Sequence, residues 1–185
     1  MNIIVYSYIC NIIFLLFDVF TLLVPNKGVY KEINETILWL FFYMYISFIV
    51  LFNKDIYNGI VNNNAISNNY WLSILLYIVG YLCFALITFN LNYTLIGSVF
   101  FIVGSVVLLK STLLQGSLGE FKEVNHNLIT NKKLNIFWGS VFALLGSIAF
   151  CYSVYAKSVL FTQLGFVLFI ISRIYFILES YHQLY

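Results

Sequence analysis

Six long apolar runs dominate this sequence, at roughly residues 3–24, 36–52, 70–89, 94–110, 135–155 and 159–178. Each is about 16–22 residues long. A helix rising 1.5 Å per residue needs ~20 residues to cross ~30 Å of hydrocarbon. Backbone N–H and C=O groups cannot stay unpaired in lipid, so such runs are either helices or barrel strands. Barrel strands alternate polar and apolar residues over ~10 positions. The run Ile12-Ile13-Phe14-Leu15-Leu16-Phe17 does not alternate, so helices are predicted.

Composition closes the other possibilities. The chain is 62% hydrophobic and only 9% charged, against about 25% charged in a soluble domain. So few charges cannot cover a water-facing surface. Disorder needs low hydrophobicity and is excluded too. The expected fold is all-α: a polytopic integral membrane protein of six spans, with the lipid bilayer as its first partner. The formal net charge of +2 and the lack of Lys/Arg runs predict no nucleic-acid partner. Residues 1–4 lack a basic n-region, so 3–24 is read as a retained span.

The connections order the spans. Asn90-Leu91-Asn92-Tyr93 and the stretch around Ala156-Lys157-Ser158 are short, which forces antiparallel neighbours. Spans 3 and 4 therefore form one hairpin, and spans 5 and 6 another. The chain divides into 1–69 (two spans and an Asn-rich loop), 70–110 (first hairpin), 111–134 and 135–185 (second hairpin). In 111–134, Leu114, Leu118, Phe121, Val124 and Leu128 recur at helical spacing between polar residues. That pattern predicts an amphipathic helix along the membrane surface. Lys54, Lys110, Lys122, Lys132, Lys133 and Arg173 fall on one side, and Lys27, Lys31 and Lys157 on the other. The positive-inside bias places both termini in the cytoplasm, with the protein in the plasma membrane. Trp39, Trp71 and Trp138 lie near the first turn of their spans, where aromatic belts form.

Each of the last four spans carries two small residues seven apart: Ser73/Gly80, Gly97/Gly104, Gly139/Gly146 and Gly165/Ser172. Seven residues are close to two turns, so each pair shares a face. Lipid supplies no hydrophobic drive for helix association, and small residues permit the close approach that replaces it. These eight are the expected helix-packing residues. A shift of 66–68 residues overlays the first hairpin on the second, aligning Trp71 with Trp138, Gly80 with Gly146 and Gly97 with Gly165.

The stretches Phe142-Ala143-Leu144-Leu145-Gly146-Ser147-Ile148-Ala149-Phe150 and Leu164-Gly165-Phe166-Val167-Leu168-Phe169-Ile170-Ile171-Ser172 resemble the two helices of YrhK-like membrane domains. Leu76-Tyr77-Ile78-Val79-Gly80 and residues 96–105 resemble the same unit. The resemblance covers residues 70–179, about half the chain. Ser172 stands where the pattern places a glycine, and Arg173 where it places a serine. The resemblance implies a helical-hairpin fold unit and no catalytic residue.

Candidate chemistry is sparse. Asp18 interrupts span 1, and a carboxylate at mid-bilayer costs ~2.5–3.5 kcal/mol on the insertion scale. It is the candidate intramembrane polar site, alongside the plainer reading that it reaches water or a polar neighbour near the span end. Rise per residue puts Arg173 ~11 Å deeper than Asp18, so Arg173 is expected to snorkel to the cytoplasmic headgroups. His126 and His182 fall in the loop and the C-terminal tail. No H-E-x-x-H, G-x-S-x-G or phosphate-binding glycine loop occurs, and neither histidine is in a span. Cys10, Cys83 and Cys151 lie in apolar runs and read as small hydrophobes, with no metal-ligand spacing. No catalytic residue, metal or cofactor is expected. The sequons at Asn34 and Asn92 touch the membrane boundary and read as chance. The expected role is non-enzymatic: structural, or binding a membrane-protein partner or a second copy. The alternatives are a small channel or transporter using Asp18, and a lipid-surface regulator built on 111–134.

Overall fold

The computed structural model describes residues 3–24, 29–51, 65–86, 92–115 and 132–184. Among these residues there is no β-strand. Six α-helices run through them: α1 (Ile3–Leu23), α2 (Val29–Leu51), α3 (Ala65–Ala85), α4 (Asn92–Gln115), α5 (Lys132–Ala156) and α6 (Val159–Leu184). Four stretches are long and apolar enough to cross a membrane: Ile4–Leu23, Tyr93–Lys110, Leu134–Ala156 and Val159–His182. Two further apolar helices, Glu35–Leu51 and Trp71–Ala85, are shorter. The amphipathic segment expected at 111–134 lies mostly outside the described residues.

Four of the six helices, α2 to α5, begin before their apolar runs do. α2 takes in Glu32 in its first turn, where a carboxylate faces the positive end of the helix dipole. α1 closes with Val24 N–H donating to Phe20 O at 2.9 Å, just before Pro25, which cannot continue the ladder. The α5–α6 reversal takes two residues. Lys157 adopts φ 50°, and Ser158 N–H donates back to Ser153 O at 3.1 Å. This is a helix stop normally given to glycine.

The helices form a ring closed in chain order, each packed on the next and α6 packed on α1. The tightest seams are α5–α6 and α3–α4, and the loosest is α1–α2. A layer of side chains fills the centre: Phe14 and Phe17 from α1, Phe41 from α2, Tyr81 from α3, Phe101 from α4, Ala143 from α5 and Phe169 from α6. Phe101 meets Phe169 edge-on at 5.9 Å, and Phe14 stacks on Tyr81 at 5.6 Å.

Burial is inverted relative to a water-soluble domain. Ser73, Ser98, Ser105 and Ser140 are 0% exposed, while Leu16, Val50, Val99, Val106 and Leu160 face outward. Three of the buried hydroxyls are satisfied within their own helix: Ser98, Ser140 and Ser147 each donate to the carbonyl four residues back, at 2.7–2.8 Å. A serine bonded to its own helix keeps the small profile that close packing needs. Trp71 is among the buried residues, so it does not join an exposed aromatic belt.

Candidate functional site

The site grows from one face of α1. Ser7, Asn11, Phe14, Asp18 and Thr21 recur at spacings of 4, 3, 4 and 3, which places them in one stripe. Asn11 Nδ2 donates to Ser7 O at 3.0 Å and lies 3.5 Å from Ser7 Oγ. Arg173 from α6 crosses this stripe. Its Nη1 donates to Asn11 Oδ1 at 3.5 Å, and its Nη2 to Tyr81 OH on α3 at 2.7 Å. Its Nε lies 3.9 Å from Asp18 Oδ2, an ion pair too long to be a hydrogen bond. The guanidinium carbon sits 4.7 Å above the Phe14 ring, a cation–π contact worth ~2 kcal/mol or more once desolvated. The Arg173 and Asp18 side chains are 11% and 13% exposed.

This arrangement corrects one expectation: Arg173 does not snorkel to the headgroups, and it is itself the polar neighbour that Asp18 reaches. An ~11 Å difference in depth requires level ends for α1 and α6, and the contact of Arg173 with Phe14 points to a stagger instead. The Arg173 guanidinium covers the Phe14 ring; with Arg173 taken at that depth, Val159 faces a position about five residues past Leu23, an overshoot of ~7 Å. Tyr155, Val159 and Leu160 at that tip are 85%, 72% and 70% exposed, as an overshooting tip requires. The long arginine side chain spans the remaining distance to Asp18.

Two buried oxygens of the stripe, Asp18 Oδ2 and Thr21 Oγ1, have no hydrogen-bond partner among the described residues. Beside Arg173 is a cavity of about 10 Å³, lined by Tyr77, Phe101, Ala143, Phe169, Ser172 and Phe176 as well. Such a volume holds one water molecule at most.

All eight small residues singled out in the sequence are buried. Gly80 and Gly97 meet each other across α3–α4, and Gly146 meets Gly165 across α5–α6. Gly104 packs on Tyr77 and Leu76, and Gly139 on Phe176. Ser172 Oγ donates to Gly139 O at 2.7 Å. His182 stands in the last turn of α6, and not in a tail beyond it. His126 lies outside the described residues. No group of three potential metal ligands is present among the described residues. Asn11, Phe14 and Tyr81 went unnoticed in the sequence. The regular spacing of Ser7, Asn11, Asp18 and Thr21 is the signal that carried the first.

No protein-family model, curated protein or solved structure matches this chain.

Proposed function

We propose that this chain is an integral membrane protein of the YrhK-like kind, crossing the plasma membrane six times with both termini in the cytoplasm. Its role is non-enzymatic: structural, or binding a membrane-protein partner or a second copy. The observation that carries the membrane reading is the inverted burial, with serines inside and aliphatic side chains outside. Water would penalise that distribution, and hydrocarbon favours it. The two shorter helices are extended by polar flanks that suit the headgroup region.

The polar cluster supports a structural role for the charges. Arg173 is held by α1 and α3 together, so it ties the first helix to the core. The aromatic layer fills the axis of the bundle, and the cavity beside the site has no room for a substrate. The test is accessibility: single cysteines placed at Lys157 and at Lys110, in a cysteine-free background, are probed with an impermeant maleimide in intact cells. Labelling is expected at 157 and absent at 110. The reverse pattern would invert the orientation, and labelling at both sites would end the six-crossing reading.

A second reading, conduction of a small ion along the α1 stripe, draws on Asp18 Oδ2 and Thr21 Oγ1, which are buried and make no hydrogen bond among the described residues. It predicts that liposomes containing the protein dissipate an ion gradient, and that Asp18→Asn abolishes the flux. Equal leak from protein-containing and empty liposomes would remove it.

A further inference from the structure

The α3–α4 and α5–α6 hairpins cross in the same way, residue for residue. In the first, a methyl group on Gly80 would run into the Phe101 ring, and one on Gly97 would lie 3.2 Å from Phe84. In the second, a methyl on Gly146 would lie 3.3 Å from Phe169, and one on Gly165 2.8 Å from Phe150. In both, each glycine also faces the other's carbonyl oxygen at 3.0–3.3 Å. Gly80 and Phe84 precede Gly146 and Phe150 by 66 positions, and Gly97 and Phe101 precede Gly165 and Phe169 by 68. Four residues thus keep both their identities and their contacts.

The same offsets expose where the hairpins differ. Tyr77 corresponds to Ala143, and Ser105 to Arg173. In the first hairpin these positions are joined, Tyr77 OH lying 2.9 Å from Ser105 Oγ. In the second, the large residue has become small and the small one large. Ala143 and Arg173 line the same small cavity, so the short side chain at 143 leaves open the space that a tyrosine there would fill. Ser73 and Gly104 correspond to Gly139 and Ser172, an exchange of serine and glycine across the same crossing. Each hairpin therefore keeps one serine and one glycine there, and Ser172 bonds to Gly139 O.

We infer that the two hairpins are diverged copies of one unit, and that position 173 is where the second copy exchanged an internal tyrosine–serine contact for a carboxylate-binding arginine. The carboxylate comes from outside the unit, and Asp18 of α1 supplies it. Arg173 and Ala143 are then specificity residues for an acidic transmembrane helix, while the glycine–phenylalanine crossings are the shared framework. The inference rests on the reading of the Asp18–Arg173 pair as a tie.

Its test restores the first hairpin's solution in the second. Three full-length proteins are purified in mild detergent and compared by thermal unfolding and size exclusion: wild type, R173S and D18N/A143Y/R173S. Ala→Tyr adds about the volume that Arg→Ser removes. R173S is expected to unfold roughly 6–20 °C below wild type, or to aggregate. The triple variant is expected to be monodisperse and to unfold within roughly 5 °C of wild type. A low R173S with an equally low triple variant overturns the inference and leaves the tie standing. An unchanged midpoint in R173S overturns the tie, and the inference with it.

Discussion

Replacing Arg173 with methionine should destabilise the bundle by about 3–5 kcal/mol, the cost of removing one partner from a buried ion pair. Methionine keeps much of the length and apolar contact of the arginine stem, so the loss isolates the guanidinium. Three things go at once: the ion pair to Asp18, the hydrogen bonds to Tyr81 and Asn11, and the contact over Phe14. The carboxylate is left buried without a counter-charge. Asp18→Asn should cost less, because the arginine keeps Tyr81, Asn11 and Phe14. The double variant should therefore be more stable than the sum of the two losses predicts, with a coupling of about 1–3 kcal/mol. Reversible unfolding in mixed micelles measures all four corners of the cycle. Strictly additive losses would mean that the 3.9 Å approach carries no energy. The damage should be local to α1, so a disulfide engineered between α1 and α6 should form less efficiently in R173M while one between α3 and α4 is unaffected.

The scaffold of this protein and Asp18 were open to reading, the pairing of Asp18 with Arg173 was not, and the difference is physical. Helix existence in lipid is set by local facts: apolar length and the need to pair every backbone group. Those facts are in each run by itself, which is why all six runs correspond to helices. The small residues were legible for a similar reason, since a seven-residue spacing defines a face without knowledge of the partner. The Asp18–Arg173 pair depends on the relative depth of two helices 155 positions apart in sequence. No local pattern encodes that stagger. It follows from the α5–α6 tip running past the end of α1, which in turn follows from where Phe14, Tyr81 and Phe169 must meet to fill the centre. Of the ~11 Å depth difference that level ends give, a stagger of ~7 Å removes the larger part, and the length of the arginine side chain covers the rest. Tyr81 was hidden by its type: an aromatic residue in an apolar run reads as core, and its hydroxyl becomes informative only once an arginine is beside it.

Among the glycines, alanine should be harmful at two positions of α3–α4 and nearly neutral at two others, and the contrast is the prediction. At Gly97 the added methyl would lie 3.0 Å from Gly80 O and 3.2 Å from Cys83 Cβ. Neither atom can rotate away, so the helices must separate and weaken the rest of their seam. At Gly80 the methyl would strike the ring of Phe101, which is 4% exposed. That ring is wedged between Tyr81 at 4.8 Å, Tyr77 at 5.2 Å and Phe84 at 5.3 Å, and has nowhere to go. Overpacking of this kind costs about 1–3 kcal/mol, with larger values where the surroundings cannot relax. Gly→Ala also gains up to ~1 kcal/mol of helix propensity, which must be overcome first. At Gly104 the nearest atoms are 3.2–3.3 Å away, on the Tyr77 ring and Leu76 Cβ. At Gly139 the nearest atoms all belong to the Phe176 ring, at 2.9–3.1 Å. The Phe176 side chain can turn by a few tenths of an ångström, and at Gly104 no contact is shorter than 3.2 Å, so a shift of that size relieves it and propensity and crowding nearly cancel. Unfolding midpoints in detergent should accordingly fall by roughly 5–10 °C for Gly80→Ala and Gly97→Ala, and move by less than roughly 3 °C for Gly104→Ala and Gly139→Ala. Equal losses at all four sites would mean that spacing along the helix, and not the rigidity of what each glycine touches, decides how much room the seam can give.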